Sequence, residues 1–436
     1  MTPATTTARS ATAERLENAE REEVERALLD APRAQRGVNI GTQPLPPVLR
    51  PHARRAILDI TEFFGETSGG VRTYLFEKAR FVEARPDLRH VVVVPGHRDA
   101  ITETSGVRCY RLRGPRVPTQ APYRFMLATR SSQRIVEHES PHVIEVGSIG
   151  LVPWVVRHAT RRDDIPLVAF YHTHLPRLFA PGGTRSPAHR RVAEDFAWRY
   201  LRALDRHFTT TIVATDYVAR ELAAAGIDRT TRVPLGVDLH LFHPHRRESS
   251  NMTLRLAGLP QRPMVLYVGR LAREKELETL IDGWRLAQRR LDADLVIVGS
   301  GPRAAALRAR ARGLRVHFVP YVANRVRLAH LIAAAELCVA PSSVETFGLS
   351  AIEALASGVP VLAADRGGVA EMVDRSGAGA VFQTGSAESL AEQLTALMQG
   401  DLRGLGATGR AFCEREHDWN AVLTRLFDVY DTLASR

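Results

Sequence analysis

Residues 341–368 read PSSVETFGLSAIEALASGVPVLAADRGG, and this stretch decides the fold. An apolar run at 337–342 precedes the turn, and a second apolar run follows at 360–365. Between them the spacing predicts a helix that starts near Gly348 and ends near residue 357. A strand, a helix and a second strand in this order are typical of a parallel sheet with helices on its faces.

The same alternation extends over most of the chain. Apolar runs rich in Val and Ile predict the strands of one module at residues 55–61, 90–96, 142–148, 166–172, 211–215 and 232–236. A second module has its predicted strands at residues 263–270, 293–301, 315–321, 337–342 and 360–365. Amphipathic stretches separate these runs. The sequence therefore predicts an α/β protein with two doubly wound Rossmann-like domains facing a central cleft, where ligands lie beyond the carboxyl ends of the strands.

The domain boundaries follow from breaks in this pattern. A polar stretch with proline at both ends lies at 243–263 and indicates a linker. We predict an N-terminal extension, an acceptor-side domain, a linker, a donor-side domain and a C-terminal helix that packs back toward the first domain. Their ranges are 1–50, 51–245, 246–262, 263–415 and 416–436.

Composition excludes several protein classes. The chain has 436 residues, of which 44% are hydrophobic and 25% charged, which is typical of a globular protein with more than one core. No uncharged apolar run reaches the ~18 residues of a membrane span, and the first 20 residues have no apolar core typical of a signal peptide. Three scattered cysteines (Cys109, Cys338 and Cys413) do not form a disulfide framework or a zinc site. We therefore expect a cytoplasmic protein.

The charge is strongly basic, with a formal net charge of +11. Much of the excess lies in residues 101–200, and such a surface suits anionic lipid headgroups or phosphorylated substrates. Arginines scattered on solvated faces are the alternative. No zinc-finger spacing or aromatic-interleaved basic ladder is present, so we expect no nucleic-acid partner. Peripheral contact with the inner membrane face stays open.

The segment after the strand at 337–342 has the features of an anion site. Helix N-termini leave backbone N–H groups unpaired, and here these belong to Phe347, Gly348, Leu349 and Ser350. Such a terminus favours an anion such as a diphosphate.

Two carboxylates flank this terminus, Glu345 before the helix and Glu353 within it. Carboxylates are hydrogen-bond acceptors, so they suit sugar or ribose hydroxyls and not phosphates. Alternatively, Glu345 caps the helix and Glu353 is solvated.

A second cationic segment follows the strand at 263–270. Arg270 and Lys275 lie on the turn into the next helix, and the chain contains one other lysine, Lys78. A compact ammonium at the carboxyl end of a strand suits a phosphate. The alternative is a charged loop neutralised by Glu274 and Glu276.

Together these motifs resemble a known family. Gly269-Arg270-Leu271 with Lys275, Gly299-Ser300-Gly301-Pro302, and the Glu345 and Glu353 pair within ETFGLSAIEALASGVPV resemble the retaining glycosyltransferases of family four, the group 1 glycosyl transferases with the GT-B fold. The resemblance covers roughly residues 55–433. It implies that Arg270 and Lys275 bind the donor diphosphate, Glu345 contacts the transferred sugar and Glu353 holds the nucleotide ribose.

The N-terminal half resembles the family less specifically. Gly69 and Gly70, within Ser68-Gly69-Gly70-Val71, match its glycine-rich loop, and glycine lets a backbone approach a ligand closely. A simple turn at a helix start is the alternative. His172, at the end of a strand, matches a histidine that faces the transferred sugar. Leu235 stands where the family usually has asparagine, which puts the role of that position in doubt.

A different enzyme class also has to be weighed. Gly299, Gly301 and Ala304 satisfy the spacing of a dinucleotide-binding turn. Residues 313–330, however, contain no acid that could bind a ribose. We therefore interpret the motif as a turn of the donor-side domain and not as a nicotinamide or flavin site.

These observations predict a hexosyltransferase that uses no metal and no cofactor beyond its nucleotide-sugar co-substrate. The predicted catalytic residues are His172, Arg270, Lys275 and Glu345. The predicted donor-binding residues are Gly69, Gly70, Arg270, Lys275, Phe347, Gly348, Leu349, Ser350 and Glu353. GDP-mannose, UDP-glucose and UDP-linked amino sugars stay open as donors, and a glycan, a glycolipid, a lipid-phosphate or a small molecule as acceptor. A non-catalytic nucleotide-sugar-binding protein and a GT-B epimerase or phosphorylase are the alternatives.

Overall fold

The computed structural model describes residues 38–64, 69–117, 123–160, 164–179, 187–259 and 262–435. Most of the predicted N-terminal extension, residues 1–37, lies outside the described residues, as do Ser68 of the glycine-rich loop and residues 260–261 of the predicted linker.

The first sheet of the described chain has eight strands in the order β3-β4-β2-β1-β5-β6-β7-β8. The strands are β1 (Arg55–Ile60), β2 (Leu88–Gly96), β3 (Ala100–Glu103), β4 (Val107–Arg113), β5 (Val143–Val146), β6 (Leu167–Phe170), β7 (Thr210–Val213) and β8 (Thr230–Arg232). Strand β1 pairs in parallel with β2 and β5 at the centre, while β3 pairs with β4 antiparallel at one edge.

The helices of the first half alternate with these strands. They are α1 (Gly70–Glu83), α2 (Thr129–Glu139), α3 (Val152–Ala159), α4 (Leu175–Phe179), α5 (Pro187–Asp205) and α6 (Asp216–Ala224). A 3-10 turn (Pro244–Arg247) and α7 (Asn251–Leu256) lie in the polar segment expected to be a linker.

The second sheet has six strands, all parallel, in the order β11-β10-β9-β12-β13-β14. These are β9 (Met264–Val268), β10 (Asp294–Val298), β11 (Val316–Val319), β12 (Leu337–Ala340), β13 (Val361–Ala364) and β14 (Gly379–Phe382). The order is that of the doubly wound nucleotide-binding fold, in which the chain starts at the centre and reverses direction once. The predicted doubly wound α/β fold is therefore confirmed.

The helices of the second half follow these strands in turn. They are α8 (Leu277–Ala287), α9 (Ala304–Arg310), α10 (Arg325–Ala333), α11 (Leu349–Ala356), α12 (Gly368–Ser376), α13 (Ala387–Met398), α14 (Leu402–Glu416) and α15 (Trp419–Ala434). Strand β9 is buried along most of its length, and Trp284 of α8 is fully buried in the core beside it. Burying a large apolar side chain contributes roughly 1.5–3 kcal/mol to folding stability, so the packing of α8 stabilises this face of the sheet.

The chain divides into two compact units. Unit 1 comprises Met1–Phe170, Leu204–Thr211 and Phe427–Arg436, and unit 2 comprises Tyr171–Ala203 and Ile212–Leu426. The end of the last helix therefore belongs to the same unit as the first strands.

Three details differ from the sequence prediction. The strand expected at 232–236 is β8, which ends at Arg232, two residues before Pro234, and proline lacks the N–H that a ladder requires. The edge hairpin β3–β4 and the last strand β14 were not predicted. Of these four strands, β3, β8 and β14 lie at sheet edges, where apolar patterning is weakest because one side has no neighbouring strand, and β4 lies next to the edge strand β3.

Candidate active site

The predicted donor residues of the second module gather where the strand order of the second sheet reverses, between β9 and β12. These strands are neighbours in the sheet, although most of the module separates them in sequence. Arg270 and Lys275 follow β9, and Glu345 follows β12. Open parallel sheets bind ligands at this position, because the loops diverge there and leave a crevice.

The turn after β9 is built by close backbone packing. The Tyr267 hydroxyl donates to the Arg270 carbonyl at 3.0 Å. At Gly299, where φ is +146°, a Cβ would lie 1.9 Å from the Gly269 carbonyl oxygen, and at Gly301 it would lie 2.3 Å from that of Leu271. The dinucleotide-like glycines are therefore needed to let two loops of the same domain touch.

Arg270 and Lys275 differ in what they bind. Among the described residues, the Arg270 side chain makes no hydrogen bond and no ion pair, and it is partly exposed. Lys275 belongs to a 3-10 turn (Arg273–Lys275) that ends before α8, so it lies on the turn into that helix, as the sequence predicted. The Lys275 ammonium forms an ion pair with the Glu345 carboxylate. The carboxylate that pairs with Lys275 therefore comes from the neighbouring loop, and not from Glu274 or Glu276, which the alternative interpretation of this segment named.

Helix α11 begins at Leu349, and its N-cap is Gly348 with φ +95°. A Cβ at Gly348 would lie 2.3 Å from Cγ2 of Val369, so the position requires glycine for both conformation and space. Within the described part of the chain, the backbone amides of residues 347–350 have no hydrogen-bond partner. The open helix terminus expected from the sequence is therefore present.

The two glutamates have different surroundings. The Glu345 side chain is 26% exposed. Glu353 is buried, and its carboxylate accepts a hydrogen bond from Arg325 at 2.8 Å. Burial raises the pKa of Glu353, and the Arg325 charge opposes that shift. The Arg325 guanidinium also lies over the Phe242 ring, 5.0 Å from its centroid. Sequence reasoning missed Arg325, which is distant in sequence from the glutamate pair.

His172 follows β6 and lies beside the glutamate loop. Its backbone carbonyl accepts a hydrogen bond from the Thr346 hydroxyl at 2.9 Å. The Thr346 carbonyl in turn accepts from the Thr215 hydroxyl at 3.1 Å. The residue next to Glu345 is therefore held against the His172 segment.

A second link joins the chain after His172 to the loop that leads to Glu345, and it is made by Arg177, which the sequence analysis did not single out. Arg177 donates to the Ser343 carbonyl at 3.3 Å and forms an ion pair with Glu221. Glu221 also accepts from His174 at 2.8 Å and from the Tyr217 hydroxyl at 2.9 Å. These partners lower the pKa of Glu221 against the effect of burial. His174 is therefore committed to a structural contact.

Gly69 and Gly70 lie at the start of α1, in unit 1, whereas the other predicted site residues belong to unit 2. Gly69 is exposed, and a Cβ there would meet nothing within 4 Å. Local packing therefore gives no reason for glycine at this position.

Over the residues that the structure covers, no group of three His, Cys, Asp or Glu side chains is arranged to hold a metal ion. No described helix is both long and apolar enough to cross a bilayer.

Family profiles match both halves of the chain. The family described as Glycosyl transferases group 1 matches residues 262–400, and Glycosyltransferase Family 4 matches residues 68–241.

Curated relatives cover most of its length. A GDP-mannose-dependent alpha-(1-6)-phosphatidylinositol dimannoside mannosyltransferase from Mycobacterium tuberculosis is 30% identical over 320 residues, which are 73% of this chain and 81% of that protein. A D-inositol 3-phosphate glycosyltransferase from Jonesia denitrificans is 29% identical over 412 residues, 84% of this chain and 91% of that protein.

Solved structures show the same fold. Sucrose-phosphate synthase from Thermosynechococcus elongatus superposes with a TM-score of 0.72 at 24% identity, covering 87% of this chain and 100% of that one. Anabaena Alr3699/HepE, in complex with UDP and glucose, superposes with a TM-score of 0.67 at 19% identity, covering 86% and 99%. The GT-B fold expected from the sequence is confirmed. With two family profiles, these relatives and this fold in agreement, the chain belongs to glycosyltransferase family four, the group 1 glycosyl transferases.

Proposed function

We propose that the protein transfers a hexose from a nucleoside-diphosphate sugar to an acceptor hydroxyl, with retention of the anomeric configuration and without a bound metal ion. The observation that carries this proposal is the convergence of two cations and an open helix terminus beyond β9 and β12. Arg270, Lys275 and the amides of residues 347–350 supply positive charge from three sources at one sheet edge.

The diphosphate is the leaving group, and it gains negative charge as the bond to the sugar breaks. Fixed donors aimed at developing charge stabilise a transition state without having to reorganise. The backbone amides at the start of α11 are fixed by Gly348, and the Glu345 carboxylate holds the Lys275 ammonium until a donor binds. Together they take the role that a metal ion has in other nucleotide-sugar enzymes.

The glutamates serve the neutral parts of the donor. A carboxylate accepts hydrogen bonds from hydroxyls and repels a phosphate. We assign Glu345 to the transferred hexose, because it is the more exposed of the two and adjoins the His172 segment. We assign Glu353 to the ribose, and the positive charge of Arg325 favours the ionised form of its carboxylate.

Retention requires the acceptor oxygen to bond to the anomeric carbon on the face that the diphosphate leaves. In the proposed step the C–O bond to the phosphate breaks, the acceptor oxygen bonds to the same carbon, and the departing phosphate oxygen takes the acceptor proton. Arg270 and Lys275 would neutralise the phosphate throughout. His172 would lie beside the transferred sugar.

The relatives favour particular donors and acceptors. A relative carries GDP-mannose in its name, and a structural neighbour was solved with UDP and glucose. We therefore place GDP-mannose first among the donors, with UDP-hexoses next. For the acceptor, the basic excess of residues 101–200 suits a phosphate-bearing or lipid-linked hydroxyl. A cytoplasmic enzyme that contacts the inner membrane face would meet such acceptors.

The test is a turnover assay on purified protein with GDP-mannose, UDP-glucose and UDP-N-acetylglucosamine. Free nucleoside diphosphate should be released only when an acceptor is present. The same release should occur in excess EDTA, because the proposed reaction needs no metal ion. The NMR coupling constant of the anomeric proton in the product should show the same anomeric configuration as in the donor. Release without any acceptor would indicate a different reaction. Donor binding without turnover across a panel of glycan, glycolipid and lipid-phosphate acceptors would indicate a non-catalytic protein. Inversion of the anomeric configuration would refute the proposed retention. Loss of activity in EDTA would refute the proposed metal independence.

A further inference from the structure

The loop that carries Lys275 and the loop that carries Glu345 are joined side by side at three points. The Ser342 hydroxyl donates to the Glu274 carbonyl at 2.7 Å. Lys275 pairs with Glu345. The third point is the carboxylate of Glu276, which accepts from Ser343.

Glu276 makes two hydrogen bonds through one oxygen. The Ser343 backbone N–H donates to Oε1 at 3.1 Å, and the Ser343 hydroxyl donates to the same atom at 2.5 Å. Hydrogen bonds to an ionised carboxylate are stronger than those between neutral groups. This carboxylate therefore fixes the residue after Lys275 to the loop that leads to Glu345.

The backbone at Glu276 is also unusual. Its φ is +51°, in the left-handed region, and it is one of three non-glycine residues with positive φ in the described chain. A side chain in this conformation is disfavoured, and glycine is the residue that adopts it freely. A glutamate persists here at a cost in stability, and strain of this kind at a functional site calls for a functional explanation.

We propose that Glu276 is a positioning residue for donor binding: its carboxylate, held by Ser343, sets the turn that aims the Lys275 ammonium at the donor diphosphate. Glu276 itself does not touch the donor. The inference rests on the proposed function, since it requires Lys275 to meet a diphosphate.

The inference explains why the left-handed position carries glutamate rather than glycine. Lys275 has a long flexible side chain, and its use as a fixed cation depends on the backbone beneath it. The Glu345 carboxylate holds the ammonium in the free protein, but a diphosphate competes for that ammonium. The Glu276–Ser343 bonds, together with the Ser342–Glu274 bond, then still hold the turn in place.

The experiment measures the affinity for GDP and for UDP by calorimetry, together with thermal unfolding, on the full chain. The variants are E276A, E276Q, E276G, S343A and the double variant E276A/S343A. The matched control is E278Q, which removes a carboxylate on the same segment that pairs with Arg303 at 2.6 Å.

We expect E276A to weaken binding of the preferred nucleotide about 10- to 100-fold, the loss that corresponds to hydrogen bonds on a charged group. E276Q should keep part of the affinity, because its amide oxygen still accepts from Ser343. The double variant should bind no worse than E276A, and E278Q should stay within about twofold of the native protein. E276G should unfold at a higher temperature than E276A, because glycine relieves the left-handed backbone, and should bind as weakly as E276A.

Three outcomes would overturn the inference. Native-like affinity in E276A would remove the positioning role. Recovery of affinity in E276G in step with its stability would show that Glu276 acts only on folding. If the native protein bound neither nucleotide, both the proposed function and this inference would be refuted. If it bound a nucleotide with an affinity that does not depend on residue 276, only this inference would be refuted.

Discussion

At the scale of single residues, Lys275 and Glu345 hold each other in the free protein, and the proposed reaction gives each of them a separate task once a donor is present. Both side chains are about a quarter exposed, so water screens their attraction. An ion pair of this kind contributes at most about 1 kcal/mol to stability. The Lys275–Glu345 ion pair therefore matters for ligand binding more than for folding.

Lys275→Ala should lower the transfer rate about 10²–10³-fold, the typical loss for one donor to a developing anion. Its melting temperature should stay close to that of the native protein. Arg273→Ala, on the exposed side of the same 3-10 turn, is the control and should turn over normally. Steady-state release of nucleoside diphosphate measures both. Equal rates in the native protein and Lys275→Ala would remove Lys275 from the site.

Arg325→Met should make donor binding sensitive to pH. Burial raises the pKa of Glu353, and without the opposing Arg325 charge that pKa should rise further. A protonated carboxyl group is a poorer acceptor for a ribose hydroxyl, so affinity should fall with decreasing pH at a higher midpoint than in the native protein. Calorimetric titration with GDP or UDP from about pH 5 to about pH 8 would show it. Superimposable pH profiles would contradict the role given to Arg325.

The sequence identifies the residues of the site better than their partners. That Lys275 and Glu345 lie at the same sheet edge could be predicted, because each follows an apolar strand of the second module. The contacts of Arg325 with Glu353 and of Glu276 with Ser343 could not, because they join segments that the fold brings together from distant parts of the chain. No local pattern encodes such a pair.

At the scale of elements, the start of α11 determines whether the open amides exist at all. Gly348 adopts φ +95° and packs against Val369, which turns the chain sharply into the helix. The sequence predicted this start because a strand, a turn and a helix-forming run follow each other in residues 337–357. The 3-10 turn before α8 could not be predicted, because a 3-10 turn is indistinguishable from a first helical turn in sequence.

Gly348→Ala should lose about 2–4 kcal/mol of unfolding free energy, from the left-handed backbone and from crowding against Val369. Gly377→Ala is the matched control, because Gly377 also has positive φ (+63°) but a Cβ there would meet nothing within 4 Å. It should lose only the backbone contribution, about 1–2 kcal/mol. Urea unfolding measures both variants, and equal losses would show that contact with Val369 does not fix the turn.

At the scale of the whole molecule, unit 1 holds a buried cluster of charges that ties the end of the chain to its first strands. Lys78 donates to Asp59 at 2.9 Å and to the Tyr430 hydroxyl at 2.7 Å. Glu145 accepts from the hydroxyls of Tyr74 and Tyr430. Burial raises the pKa of Glu145 to about 8, against the attraction of Lys78.

This cluster predicts how stability depends on pH. Because the pKa of Glu145 is higher in the folded than in the unfolded protein, the folded state holds the extra proton, and its stabilising contribution is lost as pH rises through about 8. The pKa of the neighbouring His90 is lowered by burial, so its effect is confined to pH values below about 6.5, where the unfolded form takes up a proton.

Glu145→Gln should therefore flatten the decline in melting temperature between about pH 6.5 and about pH 8, because the amide cannot ionise and its oxygen still accepts from the two tyrosines. Thermal unfolding followed across this range, for the native protein and the variant, measures the difference. Parallel curves would show that Glu145 does not titrate there.

The architecture itself could be read from the sequence to a large extent. Two successive alternations of apolar runs and amphipathic helices predicted two doubly wound sheets, and both are present. The antiparallel hairpin of β3 and β4 could not be predicted from the βα rhythm, because it adds an edge to the sheet without an intervening helix. The central strands β9 and β12 are buried over most of their length and have a strong apolar pattern, so the position of the loops that follow them could be predicted.

The most direct test of the account is a crystal structure of the protein with a bound nucleoside-diphosphate hexose, GDP-mannose first. We predict diphosphate oxygens within hydrogen-bond distance of the amides of residues 347–350, with the Arg270 and Lys275 side chains on the same phosphates. A nucleotide bound away from the carboxyl ends of β9 and β12, or a diphosphate that contacts neither cation, would contradict the account.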